Sequence, residues 1–373
     1  MKIAAIDMYA VDLPYSGGTY LLSSARAFTS FTATIVAMTT DTGITGWGES
    51  TPFGATYIAS HALGVQAGVR EMAPVLLGQD PRHVDRIFDL MDQTLVGHTH
   101  AKTPIDVACW DILGQATGLP CHALLGGAWK RGLPKISSIH AGDPDDMRAR
   151  VQHHRAMGYR GHSIKIGATD SEGGPVLDVE RITASLADRQ PGEYFLVDAN
   201  GGLTPETGLR LCAALPQGLD IVFEAPCATW AETLAFRARC PFPIVLDELV
   251  QSDADVAQLI LSDAGDGFGL KISKQGGLTP GRRQRDMARA AGLTISVQET
   301  VGSDIAFAAI AHLAATVPDR NLRCILDTRD MVTVQTATPD VTERDGLIFV
   351  GDTPGLGLRV DHDVLGTPVE SWT

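Results

Sequence analysis

Two lysines of this sequence stand inside stretches that otherwise look like buried strands. Lys165 lies in "HSIKIG" (162–167) and Lys271 lies in "GLKIS" (269–273). A strand covered on both faces is normally an apolar run, and lysine is among the residues least often fully buried. A lysine that is partly buried close to a cation shifts toward its neutral amine, which can act as a general base. Lys165 and Lys271 are therefore candidates for acid–base chemistry.

Three carboxylates end the apolar runs that lie between these lysines. Asp198 follows "YFLV", Glu224 follows "IVF" and Asp247 follows "PIVL". Carboxylates that converge from consecutive strands repel one another, and each raises the pKa of its neighbours. A hard divalent cation removes that repulsion, and oxygen ligands without His or Cys suit magnesium. The set predicts a Mg²⁺ site, although each residue taken alone could be a rim salt bridge or a helix cap.

Two bases that face each other across a metal suit removal of a proton next to a carboxylate, because the metal can stabilise the enolate. The alternative is that the lysines only neutralise the acidic cluster. Further polar residues at the strand ends or in the first part of the chain could support the metal ligands or contact the substrate. They are Asn200, Glu248, His140, Glu299, Asp327, Tyr57 and His98.

The elements that must position these residues follow a repeating pattern from about residue 133 onward. Short apolar runs alternate with helical stretches such as 145–157, 205–215, 229–239 and 279–291. The runs are "LPKISSIHAG", "YRGHSIKIG", "YFLVDAN", "DIVFEAP", "FPIVLDE", "GFGLKIS", "LTISVQET" and "LRCILDT". Eight β/α units predict a (β/α)8 barrel, whose active site lies at the carboxyl ends of the strands. An open doubly wound sheet is the alternative, but no early GxGxxG loop supports it.

The chain divides into three predicted parts. Residues 1–125 have an α+β texture, with two strands around the "DTG" turn of "FTATIVAMTTDTGITGWGE" and helices at 61–77, 82–95 and 102–117. Residues 126–335 carry the barrel. Residues 336–373 add no further β/α unit, and we expect them to return to the first domain.

Composition narrows the classes of partner. The 373 residues carry a formal net charge of −14, which argues against nucleic acid or an anionic membrane as a partner. No apolar run approaches the ~20 residues that cross a bilayer. Six cysteines without a CxxC pair are typical of reduced thiols in a cytoplasmic protein and give no support for a zinc site.

These motifs resemble the enolase superfamily, in its muconate-lactonizing-enzyme-like branch, over essentially the whole chain. The matching stretches are "GWGE" (46–49), "IDVACWDILGQATGLPCHALLGG" (105–127), "DAN" (198–200), "FEAP" (223–226), "LDE" (246–248) and "KISKQGG" (271–277). The resemblance implies a capping domain over the barrel mouth, with Lys165 and Lys271 as the acid/base pair. It also implies Asp198, Glu224 and Asp247 as Mg²⁺ ligands, although Asp247 and Glu248 could exchange roles, and it implies a homo-oligomer. At Ser163 the branch usually has a lysine that helps to lower the pKa of its neighbour.

Within the branch, the chain is most similar to members that act on proline derivatives. The segments that carry this likeness are "TPFGATYIASHALG", "GHTHAKTPID" and "PGLGLRVDHDVLGTPVESW". Dehydration of cis-3-hydroxy-L-proline to Δ1-pyrroline-2-carboxylate is the expected reaction. Lys165 is then the expected base for an S-configured α-carbon, and Asp327 is a candidate partner for the substrate nitrogen. The alternatives are epimerisation of a proline betaine, which calls for an aromatic cage, another racemisation or sugar-acid dehydration, and a non-catalytic binding protein on the same scaffold.

Overall fold

The first part of the chain folds as an antiparallel sheet backed by helices. The computed structural model describes residues 1–22, 26–129 and 132–373. The strands are β1 (Ile3–Pro14), β2 (Tyr20–Leu21), β3 (Ala27–Phe28), β4 (Ser30–Thr40) and β5 (Thr45–Ser50). The helices are α1 (Ala62–Leu76), α2 (Val84–Thr94), α3 (Thr99–Thr117) and the short α4 (Cys121–Leu124). β1, β4 and β5 pair as antiparallel neighbours, with the "DTG" turn between β4 and β5.

Helix α3 packs directly on strand β5, and glycine makes that contact possible. A side chain at Gly48 would begin only 2.0 Å from the carbonyl oxygen of Pro104. Most of α3 is buried as a result, including the polar residues Asp106 and Asp111. Glycine in "GWGE" therefore allows the sheet and the helix to approach each other closely.

The middle of the chain forms a closed parallel barrel. Its strands are β6 (Gly132–Ile139), β7 (Gly161–Lys165), β8 (Tyr194–Asp198), β9 (Val222–Glu224), β10 (Ile244–Leu246), β11 (Gly267–Lys271), β12 (Thr294–Gln298) and β13 (Leu322–Leu326). Each strand pairs in parallel with the next, and β13 pairs with β6 to close the ring. The predicted (β/α)8 barrel is confirmed, and the closure excludes the open sheet.

Helices connect these strands, and several begin after N-cap residues of a type that marks helix starts in a sequence. The helices are α5 (Pro144–Ala156), α6 (Gly174–Leu186), α7 (Pro205–Ala214), α8 (Trp230–Arg237), α9 (Asp253–Ser262), α10 (Ile272–Gln275), α11 (Leu278–Ala291) and α12 (Asp304–Ala315). Side chains of Asp143, Thr204, Thr229 and Ser252 accept hydrogen bonds from backbone N–H groups in the first turns of α5, α7, α8 and α9. Among the described residues, no helix has both the length and the apolar character needed to cross a membrane.

The last part of the chain contacts both the barrel and the first sheet. It contains β14 (Ala337–Pro339), β15 (Val341–Arg344), β16 (Leu347–Val350), β17 (Leu358–Val360), α13 (His362–Leu365) and β18 (Glu370–Trp372). β16 pairs antiparallel with the start of β6, and β18 pairs antiparallel with β1. The segment therefore adds a hairpin to the barrel before it reaches the sheet of the first domain.

Candidate active site

The predicted lysines and carboxylates lie at one edge of the barrel. Lys165, Asp198 and Glu224 end the neighbouring strands β7, β8 and β9, and they are paired in register across the sheet. Asp247 directly follows β10, and Lys271 ends β11. In the ring of eight strands, β7 and β11 are four strands apart, so the two lysines approach the carboxylates from opposite sides.

Each lysine forms an ion pair with one of the carboxylates. Lys165 Nζ donates to Asp198 Oδ2. On the other side, Lys271 Nζ donates to Asp247 Oδ2 at 2.6 Å and contacts the Tyr57 hydroxyl at 2.6 Å. The Tyr57 hydroxyl in turn donates to Asp247 Oδ2 at 2.9 Å. Tyr57 thus brings a hydroxyl from the first domain into the barrel site.

The charges in this cluster shift one another's proton affinity. Burial raises the pKa of Glu224 well above its usual value, and the neighbouring Asp198 and Asp247 raise it further. Burial alone would lower the pKa of Lys165 and Lys271, but the adjacent carboxylates outweigh it, so both pKa values are raised. With no cation at the carboxylates, the lysines are therefore held as ammonium groups.

A third lysine, Lys274, was not predicted from the sequence. Its Nζ donates to both Oδ1 and the backbone oxygen of Asp247, each at 2.5 Å, and its side chain is buried. The chain turns into the short helix α10 directly after Lys271, which places Lys274 one turn further along on the same side of Asp247. The available signal was the K-x-x-K spacing within "KISKQGG".

Asn200 and Glu248, two further residues of the predicted site, lie beside the carboxylates. Asn200 has a left-handed backbone (φ 46), and its Nδ2 donates to Asp198 Oδ2 at 3.1 Å and to Glu248 Oε1 at 3.0 Å. Burial, followed by the charges of Asp247 and Asp198, raises the pKa of Glu248 to about 7. Asn200 Oδ1 and Glu248 Oε2 are buried oxygens that have no hydrogen-bond partner within the described part of the chain.

The pocket above this cluster has a polar floor and an aromatic wall. Lys165, Asp198, Glu224 and Lys271 line it from the barrel, together with Ser163, Gln298 and Glu299. Three rings from the first domain, Tyr20, Phe53 and Tyr57, line the opposite side. The Tyr20 and Phe53 ring centroids are 5.1 Å apart, and those of Phe53 and Tyr57 are 5.5 Å apart. Tyr20 and Phe53 were missed because their positions depend on how the two domains pack.

Glu299 lies at the edge of the pocket as a buried acid. Its Oε1 accepts hydrogen bonds from Ser273 N at 2.8 Å and from Ser273 Oγ at 3.0 Å. Burial raises the pKa of Glu299 to about 8 despite these donors. At neutral pH the side chain is therefore largely protonated and can donate a proton or a hydrogen bond.

Three of the predicted residues, Asp327, His140 and His98, do not line this pocket in the described structure. Asp327 accepts two hydrogen bonds from the Arg329 guanidinium, at 2.8 and 2.7 Å, so its carboxylate is already paired. His140 lines a neighbouring cavity with Asp327, and the exposed His98 lines a separate cavity beside α3. The pairing of Asp327 has a local cause, because Arg329 follows it by two residues in a tight turn.

Comparison with known proteins identifies the family. The family model "Enolase C-terminal domain-like" matches residues 146–364, and "Mandelate racemase / muconate lactonizing enzyme, N-terminal domain" matches residues 23–126. The chain is 38% identical to a cis-3-hydroxy-L-proline dehydratase of Roseibium aggregatum, over 100% of both sequences. It is 28% identical to an N-succinyl-L-Arg/Lys racemase of Bacillus cereus, over 98% of this chain and 97% of that protein.

Solved structures give the same result. A protein of Roseovarius nubinhibens ISM assigned to the mandelate racemase/muconate lactonizing enzymes, complexed with magnesium, is 57% identical and superposes with a TM-score of 0.98 over 100% of both chains. A protein of Aspergillus oryzae with the same assignment is 58% identical with a TM-score of 0.94, over 100% of this chain and 99% of that one. The resemblance inferred from the motifs is confirmed: the chain belongs to the enolase superfamily of enzymes, in its mandelate racemase/muconate lactonizing enzyme group.

Proposed function

We propose that this enzyme removes the proton α to the carboxylate of a proline derivative, with Lys165 and Lys271 as the acid/base pair. The observation that carries the proposal is the placement of these lysines on strands β7 and β11, on opposite sides of three carboxylates. Each Nζ can therefore reach a different face of a substrate held between them. This arrangement serves both elimination and inversion at the α-carbon.

The residues at the barrel mouth fit a magnesium ion. Among the described residues, no three His, Cys, Asp or Glu side chains are arranged as a metal-binding group, and lysines pair with Asp198 and Asp247. Two further observations favour a cation. Glu224 Oε1 and Asp247 Oδ1 converge, at 3.5 and 3.4 Å, on the point where a side chain at Gly269 would begin. The donors are all carboxylate oxygens, which hard divalent cations prefer.

In the proposed mechanism, Asp198, Glu224 and Asp247 would hold the ion. When bound, the ion supplies a positive charge that binds the substrate carboxylate and stabilises the negative charge formed on loss of the α-proton. The same three carboxylates raise the pKa of both lysines. A metal ion and the lysine ammonium groups compete for the same carboxylates. Metal binding is therefore linked to loss of a proton from a lysine, which leaves a neutral amine. One lysine then takes the α-proton at Nζ.

Dehydration of cis-3-hydroxy-L-proline uses both lysines. In this substrate the α-hydrogen and the 3-hydroxyl lie on opposite faces of the ring, so the base and the acid must also lie on opposite faces. Lys165 is the expected base for the S-configured α-carbon, and Lys271 is positioned to give a proton to the departing hydroxyl. Loss of water leaves an enamine that tautomerises to Δ1-pyrroline-2-carboxylate. The 38% identical dehydratase of Roseibium aggregatum supports this choice of substrate.

The aromatic wall favours a second candidate, epimerisation of an N-methylated proline. Tyr20, Phe53 and Tyr57 line the pocket, while Asp327 is already paired with Arg329. A quaternary nitrogen cannot donate a hydrogen bond and is recognised by the faces of aromatic rings. The pocket therefore offers the substrate nitrogen aromatic ring faces, as recognition of a betaine requires. The same rings can also attract a prolinium cation.

One experiment in deuterated water separates the candidates. With magnesium present, a dehydratase consumes cis-3-hydroxy-L-proline and forms an imine that o-aminobenzaldehyde traps. The trans isomer is the matched control, because its α-hydrogen and hydroxyl share one face, so we expect deuterium exchange without elimination. A betaine epimerase instead exchanges the α-hydrogen of proline betaine and inverts the configuration of the α-carbon. Neither turnover nor exchange with any of these compounds would refute the substrate class, and full activity of Lys165→Ala would refute the mechanism.

A further inference from the structure

Gln298 is a polar residue of the reaction pocket that has no role in the proposed mechanism. It ends β12, lines the pocket and is only 7% exposed. Its amide makes no hydrogen bond within the described part of the chain, although neither amide atom is completely enclosed by protein. Buried amides normally have hydrogen-bond partners. An amide that opens onto a pocket without such partners is therefore available to a ligand.

Most polar side chains that line this pocket are already hydrogen-bonded within the protein. Examples are Lys165, Lys271, Tyr20, Tyr57, Ser137 and Thr300. In the described structure, Glu224, Ser163 and Gln298 line the pocket without a side-chain hydrogen bond. Glu224 is a proposed ligand of the magnesium ion. Ser163 and Gln298 therefore remain as neutral groups that can bind a substrate.

The order of the strands places Gln298 across the barrel mouth from the carboxylates. β12 and β8 are four strands apart in the ring of eight, so Gln298 lies opposite Asp198. In the proposed mechanism the substrate carboxylate is held on the side of Asp198, Glu224 and Asp247. The opposite side of the pocket is bounded by β12. Gln298 is thus placed to contact a substituent of the substrate ring rather than the carboxylate.

The register of the sheet also puts Gln298 beside Lys271. The two residues end neighbouring strands and are paired in parallel. Ser163 lies on the other side of the barrel, two residues before Lys165 on the same strand and therefore one layer deeper. In the proposed dehydration, Lys271 faces the 3-hydroxyl of cis-3-hydroxy-L-proline. The amide of Gln298 carries N–H donors that a hydroxyl oxygen on that face can accept.

We propose that Gln298 hydrogen-bonds the ring hydroxyl of the substrate on the Lys271 face, and so selects a hydroxylated proline over an unsubstituted one. The inference rests on the proposed function, which sets the substrate between the two lysines. Gln298 Nε2 donates to the hydroxyl oxygen, whose second lone pair stays free for the proton from Lys271. L-Proline has no such oxygen and leaves the amide unpaired.

Replacing Gln298 by methionine tests this contact, because methionine has about the same length and no amide. Turnover is measured with magnesium in deuterated water, as α-hydrogen exchange plus any elimination, for cis-3-hydroxy-L-proline, its trans isomer and L-proline. The trans isomer carries its hydroxyl on the Lys165 face. In Gln298→Met we expect kcat/KM for the cis isomer to fall about fivefold to tenfold, as loss of one hydrogen bond does. Values for the other two compounds should change less than about twofold. A compound that binds without exchange is compared through its inhibition constant against the cis isomer.

Stability measurements separate a contact with the substrate from a structural role. Gln298 makes no side-chain hydrogen bond in the described structure, so Gln298→Met should unfold at the same urea concentration as the unmodified protein or a higher one. Gln284→Met is the matched control, because Gln284 is also buried but donates to Asp253 at 2.9 Å, outside the pocket. It should lower the urea midpoint and leave all three kcat/KM values unchanged. Ser163→Ala, which removes the other free neutral group, should retain the preference for the cis isomer.

Two results would overturn the inference while leaving the proposed function in place. One is that Gln298→Met changes kcat/KM for the cis isomer and L-proline by the same factor, or changes neither. The other is that Ser163→Ala abolishes the preference for the cis isomer although Gln298 is intact.

Failure of the proposed function gives a different result. If the unmodified protein exchanges none of the three compounds, dehydration is contradicted, and the comparison uses proline betaine with and without a ring hydroxyl. Gln298→Met should then slow exchange of the hydroxylated betaine alone, and an equal effect on both betaines contradicts the inference. Absence of exchange with the betaines as well refutes the substrate class and the inference together.

Discussion

Replacing Lys165 by methionine should destabilise the metal-free protein more than the same change at Lys271. Among the described residues, Asp198 receives one ammonium group, from Lys165. Asp247 receives two, from Lys271 and Lys274, and a hydrogen bond from Tyr57 as well. Removing one partner of a buried ion pair costs about 3–5 kcal/mol, because the remaining charge stays buried and unpaired. We expect that full cost for Lys165→Met and roughly half of it for Lys271→Met, where Lys274 remains.

Magnesium should reverse the loss at Lys165. A ligand present at about one hundred times its dissociation constant stabilises the folded state by about 2.7 kcal/mol. In Lys165→Met the ion no longer competes with an ammonium group for Asp198, so its stabilising effect should exceed that in the unmodified protein. The assay is chemical unfolding in EDTA and in excess magnesium. Lys102→Met is the control, since Lys102 is also buried and pairs with Asp92, outside the carboxylate cluster.

The order of the effects decides whether the reasoning holds. The prediction is contradicted if Lys271→Met is less stable than Lys165→Met in EDTA. It also fails if magnesium stabilises Lys165→Met no more than Lys102→Met, since the ion would then not replace the ammonium group at Asp198. Neither result requires a measurement of activity, so the test does not depend on the identity of the substrate.

Three further predictions concern other parts of the molecule. Tyr57→Phe removes the hydroxyl between Lys271 and Asp247 and should lower kcat about tenfold with a smaller change in KM, measured on the preferred substrate. Peroxide should join Cys212 and Cys240, whose Sγ atoms are 4.0 Å apart, with loss of two hydrogens by mass and no such product in Cys240→Ser. Burial raises the pKa of Asp106 from 3.8 to about 7, so Asp106 takes up a proton on folding between these pH values and its contribution to stability falls as pH rises through that range. That contribution amounts to about 4 kcal/mol over the whole range, at about 1.36 kcal/mol per pKa unit, of which about 2 kcal/mol is lost between pH 5 and 7, and Asp106→Asn should remove that part of the fall in the free energy of unfolding.

The barrel was predictable because its strands are short apolar runs that end in ionisable residues. Lys165, Asp198 and Glu224 could be placed together from topology alone, since neighbouring parallel strands bring their ends to one edge. Asp327 ends a strand by the same rule, yet its carboxylate pairs with Arg329 two residues later. Strand order gives the position of a side chain at the rim, and the loop that follows decides whether its charge remains available to a ligand.

Residues contributed by the first domain were harder to predict for a different reason. Tyr20 and Phe53 follow no spacing rule, because they reach the pocket only when the first domain docks on the barrel. Helix α3 fixes that docking through Asp106, which accepts a hydrogen bond from Thr279 N of the barrel helix α11. The contact joins residues that are 173 positions apart in sequence. A pattern read along one strand or helix carries no information about such a contact.

The barrel and the first domain contribute different residues to the pocket, and this difference affects substrate selection. The barrel supplies the lysines and carboxylates, and the reaction proposed for them requires only a substrate carboxylate with an acidic α-proton. The wall facing them, formed by Tyr20, Phe53 and Tyr57, comes from the first domain and can contact the rest of the substrate. Tyr57 belongs to both groups, because its ring lines the wall while its hydroxyl contacts Lys271. Substitution at Phe53 should therefore change which of the proposed substrates is preferred while leaving α-proton exchange intact, whereas substitution at Tyr57 should change both together.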